Sequence, residues 1–170
     1  MSLFLFVFCP NINGNAVLIT SDALSCLLTI TSAYYFWKSV HDCNWKNIIF
    51  FSISVAIAQL TKQSLTHLFI IFPLIAIILF IRQKKVPALN KDFILKLVVS
   101  FVIFLFIINA GFLFSGTGQS LSSYHFKSSV FNSIQRLFSF AGSVPLPFPE
   151  PYISGLDLTM NIDEMGAGLP

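Results

Sequence analysis

Apolar and polar positions alternate in long blocks along this chain rather than at short period. Residues 2–9 form an apolar stub, and Pro10-Asn-Ile-Asn-Gly-Asn15 then breaks any helix. Four apolar runs follow, at 23–37, 47–60, 65–81 and 93–113. Each predicts a helix, and polar connections carrying Lys, Arg, His or Asp separate them. The run at 93–113 is interrupted only by Lys96, Ser100 and Asn109 and is the clearest spanning segment. Pro73 is expected to kink the run at 65–81.

From residue 114 the pattern changes. Ser115 to Ser123 reads as a flexible polar linker. Between Val130 and Ala141, Val130, Phe131, Ile134, Leu137 and Phe138 share one helical face, so a helix lying flat in the headgroup layer is expected. Pro145, Pro147, Pro149 and Pro151 recur at every second position, which predicts an extended stretch without helix. Gly155 to Pro170 shows no packed core. The expectation is therefore an all-α, polytopic transmembrane bundle over 1–113. An outer-face interfacial helix and an irregular Pro-rich tail would follow over 114–170.

Composition supports lipid surroundings. The 170 residues are 55% hydrophobic and only 10% charged, with twenty Phe. Soluble domains carry about a quarter charged residues. The mean hydropathy is +0.80. Cys9, Cys26 and Cys43 show no metal spacing. The stub at 2–9 is too short to span and lacks a positive n-region, so it reads as the tail of a helix that begins upstream.

Charge placement gives orientation. The segments at 38–46 and 82–96 collect most of the Lys and Arg, which puts them in the cytoplasm. Asp22, Lys62 and the tail from 114 then face outward. A carboxylate at the edge of an apolar run is a functional hypothesis by default; its bland alternative is a helix cap. Lys62 could equally snorkel to the headgroups. His67 falls one turn beyond Lys62 on the same side of a helix, as a structural residue or a ligand. His41 and Asp42 are adjacent but have no third catalytic partner nearby. Phosphate loops, metal-spaced His/Cys sets and nucleophile elbows are missing, and scattered basic residues leave no footprint for nucleic acid.

Three patches nevertheless resemble a known family. Pro10-Asn-Ile-Asn-Gly-Asn-Ala-Val-Leu-Ile-Thr-Ser-Asp22 resembles the loop leading to Thr-Ser-Asp in integral-membrane glycosyltransferases of the GT-C class. Ala56-Ile-Ala-Gln-Leu-Thr-Lys62-Gln-Ser is similar to their Gly-x-Ala-x-Leu-Thr-Lys-x-Ser segment, with Ala56 where Gly is usual. Pro145-Leu-Pro-Phe-Pro-Glu-Pro-Tyr-Ile-Ser-Gly-Leu-Asp157 resembles their Leu-Pro-x-Pro-x-Pro-Tyr-x-x-Gly stretch. The nearest group is glycosyltransferase family 39, which includes dolichyl-phosphate-mannose–protein mannosyltransferases and the bacterial aminoarabinose transferase.

The resemblance implies a multi-pass protein of a bacterial cell membrane or the endoplasmic reticulum. It would move a sugar from a polyprenyl-phosphate donor to a protein or lipid acceptor, with a divalent metal as the possible cofactor. Asp22 would be a supporting catalytic residue, and Lys62 with His67 would bind substrate. The family's principal acid lies in an earlier outer loop that no residue here matches, so the chain reads as a fragment. A transporter and a non-catalytic membrane scaffold are the alternatives.

Overall fold

The computed structural model describes residues 22–83, 91–138 and 145–166. The stub at 2–9, the Pro10 loop, Ser21, the stretch 84–90 with Pro87, and Ser139 to Ala141 of the expected interfacial helix lie outside the described residues. Every element is helical, and no strand occurs among the described residues. An isolated bridge pairs Ser120 with Pro145. The chain divides into two compact units, Met1–Ser100 and Phe101–Pro170. The division falls inside the helix Lys91–Gly111.

The first unit is built on a helical hairpin. Helix α1 (Asp22–His41) and helix α2 (Trp45–Thr61) are joined by three residues, a length that makes neighbouring helices antiparallel. Helix α1 buries Ser25 and Ser32, seven positions apart and so on one face. Small side chains there let a neighbouring backbone approach closely. Aromatic pairs lock the rest: Tyr35 stacks on Phe50 at 5.1 Å, and Phe36 lies 5.7 Å from Phe51 and 4.8 Å from Phe72. A 3-10 turn, Gln63–His67, leads into helix α3 (Leu68–Gln83), which continues through Pro73.

Helix α4 (Lys91–Gly111) is, among the described residues, the helix long and apolar enough to cross a membrane. Lys96, at its start, donates from Nζ to the Cys43 carbonyl at 2.8 Å and to Asp92 at 2.6 Å. Lys96 is thus tied to the α1–α2 connection. Ser100 shares a hydrogen bond with Ser52 of α2.

Several polar side chains are buried among the apolar core while many large apolar ones face outward. Ser25, Ser32, Ser52, Ser54 and Gln59 are buried, while Leu27, Ile30, Ile70, Ile77, Ile81, Val98 and Val102 are more than half exposed. Contiguous apolar surface of that kind marks contact with lipid or a partner.

The second unit differs from the sequence expectation in two places. Ser115 to Ser123 is a pinned turn rather than a free linker. Gly118 N–H donates to Leu146 O at 2.9 Å, Leu146 N–H to Gln119 O at 2.9 Å, and Glu150 N–H to Ser115 O at 3.1 Å. Leu146, placed between Pro145 and Pro147, supplies the amide that its neighbours lack.

The Pro-rich tail is not irregular throughout either. Helix α6 (Glu150–Glu164) begins directly after Pro149 and buries Tyr152, Ile153 and Asp157. Pro151 occupies one of its first two positions, where a missing N–H leaves no hydrogen bond unmade. Periodic proline therefore announces the helix start rather than forbidding it. Helix α5 (Ser129–Leu137) is short, with Val130, Ile134 and Leu137 exposed along one side.

Gly116 shows how tightly the turn is built. Its φ is +66°, and a Cβ there would stand 2.6 Å from the Glu150 Cβ. Gly116→Ala is expected to destabilise this unit through both left-handed backbone, about 1–2 kcal/mol, and overpacking, about 1–3 kcal/mol. A thermal melt of the purified protein checks it. Gly118→Ala, also left-handed but with open space around it, should lose only the backbone contribution.

Candidate functional site

Asp22 stands in the first turn of α1 and Lys62 at the residue following α2. The antiparallel hairpin returns the chain to its starting level, so two residues forty positions apart meet. Lys62 Nζ donates to Asp22 Oδ1 at 2.7 Å. Helix α1, at 20 residues, is about 30 Å long, so the pair lies roughly one bilayer thickness from the basic connection at the hairpin's other end. Both side chains stay accessible, Lys62 at 45% and Asp22 at 59%. At such exposure an ion pair contributes about 0–1 kcal/mol.

The turn holding Lys62 is defined by groups the sequence reading missed. Lys62 is extended, at φ −154° and ψ 116°, and ends α2 with its N–H on Ala58 O at 3.1 Å. The buried amide of Gln59 reaches across the turn: Nε2 donates to Leu65 O at 2.8 Å, and Oε1 accepts from the Thr66 hydroxyl. An amide inside an apolar run, three residues before the lysine, is the signal that marks Gln59. Gln59→Leu should cost about 0.5–1.5 kcal/mol, one hydrogen bond, because the Leu65 carbonyl keeps the Leu68 N–H as a donor. The melting temperature reads the cost directly.

His67 is not brought to the pair. Because Lys62 is extended and Gln63–His67 is a 3-10 turn, the two do not share a helix side, contrary to the expectation from spacing. His67 Nδ1 lies 2.7 Å from the Ser64 carbonyl, an acceptor only an N–H can bond. No ion pair or hydrogen bond joins His67 to Asp22 or Lys62 among the described residues. His41 likewise turns Nδ1 to the Trp37 carbonyl at 3.0 Å.

Among the described residues no group of three His, Cys, Asp or Glu side chains converges on a possible metal position.

In the second unit, carboxylates of α6 hold the start of α5. Asp157 accepts from the N–H groups of Lys127 and Ser128 at 2.8 and 2.9 Å and from the Ser128 hydroxyl at 2.7 Å. Burial opposes its ionisation, but these three donors outweigh it and hold its carboxyl below the ordinary range. Glu164 accepts from the Ser129 N–H and hydroxyl and from the Val130 N–H. The Ser129 amide is the main cause that lowers its carboxyl as well.

Beside this junction is a polar cleft of about 370 Å³ whose lining includes Gln119, Tyr124, His125, Lys127 and Glu150. The Tyr124 hydroxyl is buried without a hydrogen-bond partner among the described residues. Burial, and secondarily the Glu150 charge, raise its phenol above the ordinary value. An unmet buried hydroxyl costs about 1–3 kcal/mol. No family model, no curated protein and no solved structure matches this chain.

Proposed function

We propose that this chain is part of a multi-pass membrane glycosyltransferase. It would move a sugar from a polyprenyl-phosphate donor to a protein or lipid acceptor on the extracytoplasmic face. The observation that carries the reading is the meeting of Asp22 and Lys62 at the open end of a helical hairpin. Two of the three resembling patches contribute one charged residue each, and those two residues form one site. The exposed apolar side chains of α1, α3 and α4 support contact with lipid.

The chemistry follows from a weak, accessible pair. A polyprenyl phosphate keeps its chain in lipid and its head at the interface, where Lys62 is a compact point charge for it. Opening a pair of this exposure costs little. The released Asp22 carboxylate then accepts a hydrogen bond from a sugar hydroxyl and orients it. Asp22 is a supporting residue in this scheme, since the family's first-loop acid has no counterpart among these 170 residues.

The decisive experiment is transfer of labelled sugar from polyprenyl-phosphate donors by the full-length protein in proteoliposomes. Failure with every donor and acceptor tried would overturn the reading. Topology gives a separate check. In a cysteine-free background, Asp42→Cys and Ser120→Cys should react with an impermeant maleimide from opposite sides. Labelling of both from one side contradicts the arrangement.

A further inference from the structure

We infer that the cleft between the Gln119–Lys127 segment and α6 is a saccharide-binding site for a neutral sugar ring. It is built from Phe101–Pro170 alone and does not depend on the Asp22–Lys62 pair. Its volume, about 370 Å³, falls within the size range of small-molecule sites, roughly 300–1,000 Å³.

The walls are fixed before any ligand arrives. Asp157 ties Lys127 and Ser128 to α6, while Glu150 N–H bonds Ser115 O and Gly118 N–H bonds Leu146 O. The segment is thus held to α6 at both ends of the cleft. Gly116 allows the close approach that seats Glu150 at the rim.

The lining selects the chemical class. The Asp157 oxygens are already occupied by three protein donors. That leaves one carboxylate, Glu150, and one ammonium, Lys127, so neither an anion nor a cation is favoured. Gln119, Ser154 and His125 can each donate and accept. A ligand with several hydroxyls, each both donor and acceptor, matches that set.

Tyr124 and Phe126 add a flat apolar surface. Their rings stack at 5.5 Å and 7° from parallel. The Tyr124 hydroxyl is shut from water and without a partner among the described residues, on a residue only 7% exposed. Glu150 lies near enough to act on that phenol electrostatically. A ligand hydroxyl that reaches the phenol from the cleft supplies the bond it lacks.

The test uses the full chain in lipid nanodiscs free of glycosidic detergent. Methyl α-D-mannopyranoside and methyl β-D-glucopyranoside are the probes, read by saturation-transfer NMR. Transfer to the ring protons of at least one glycoside is expected. Tyr124→Phe and Glu150→Gln should each weaken binding about tenfold, the effect of one ordinary hydrogen bond. Tyr124→Phe should melt no lower than the parent, since it removes an unmet hydroxyl. If that variant does not fold, Glu150→Gln decides alone. No transfer to either glycoside overturns the inference, as does unchanged affinity in the variants. Displacement of the glycoside by millimolar inorganic phosphate would overturn it too, marking an anion site. Loss of sugar transfer from the polyprenyl donor with glycoside binding intact would instead count against the proposed function alone.

Discussion

Lys62→Ala in the full-length protein is expected to lower sugar transfer about a hundredfold, the scale on which removing one preorganised electrostatic contact acts. The loss should fall largely on KM for the polyprenyl-phosphate donor, because the ammonium attracts the phosphate before any bond breaks. Asp22→Asn should lose about tenfold and mostly in kcat, since the amide keeps the shape but orients a hydroxyl less strongly. Folding should barely register either change. The pair is accessible on both sides, and such pairs contribute about 0–1 kcal/mol. A large activity effect at a constant melting temperature therefore separates a substrate role from a structural one. Lys62→Arg should restore only part of the activity, because a planar fork does not reproduce a compact point charge. Wild-type kcat/KM in both Lys62→Ala and Asp22→Asn would remove these two residues from the site.

Asp157→Ala is expected to be the most destabilising single change in the second unit, at about 2–4 kcal/mol. Three donors lose one acceptor at once, and a helix start loses its anchor. The same carboxylate predicts the response to acid. Its folded-state pKa is depressed, as is that of Glu164. Their contribution is complete above the ordinary carboxylate value, near about 4. It disappears as pH falls through the lower folded-state values. Amide exchange at Ser128, Ser129 and Val130 should accelerate in that acid window, before the rest of the unit opens. Asp157→Asn should weaken this acid dependence, leaving the Glu164 part.

The helices of the first unit were largely legible because block hydropathy sets them. The runs at 23–37 and 47–60 lie inside α1 and α2, and 93–113 overlaps α4 closely. The run at 65–81 hides a change of geometry. Its first residues wind as a 3-10 turn, so spacing alone misplaced His67 relative to Lys62. Asp22 and Lys62 could be assigned to one face from charge counting, but their contact depends on how the hairpin packs. Gln59 carried a signal, an amide inside an apolar run, but its partners Leu65 and Thr66 depend on how the turn folds. The tail was the least legible part. Proline at alternate positions suggested extension throughout, yet at one of the first two positions of α6 the same residue starts a helix. The cleft depends on Asp157 and Gly116 meeting distant backbone, and no local pattern encodes such meetings.

The double anchoring of α5 by α6 bears on the order in which this chain acquires structure during synthesis. Helix α5 has nine residues, fewer than the roughly 12–15 below which isolated helices are marginal in water. Its first turn takes bonds from Asp157 and Glu164, about thirty residues further on. While the ribosome is still adding those residues, Ser129–Leu137 has its local cap on the Ser128 hydroxyl but not the two carboxylates. The segment therefore gains its anchoring carboxylates only once Glu164 has been added.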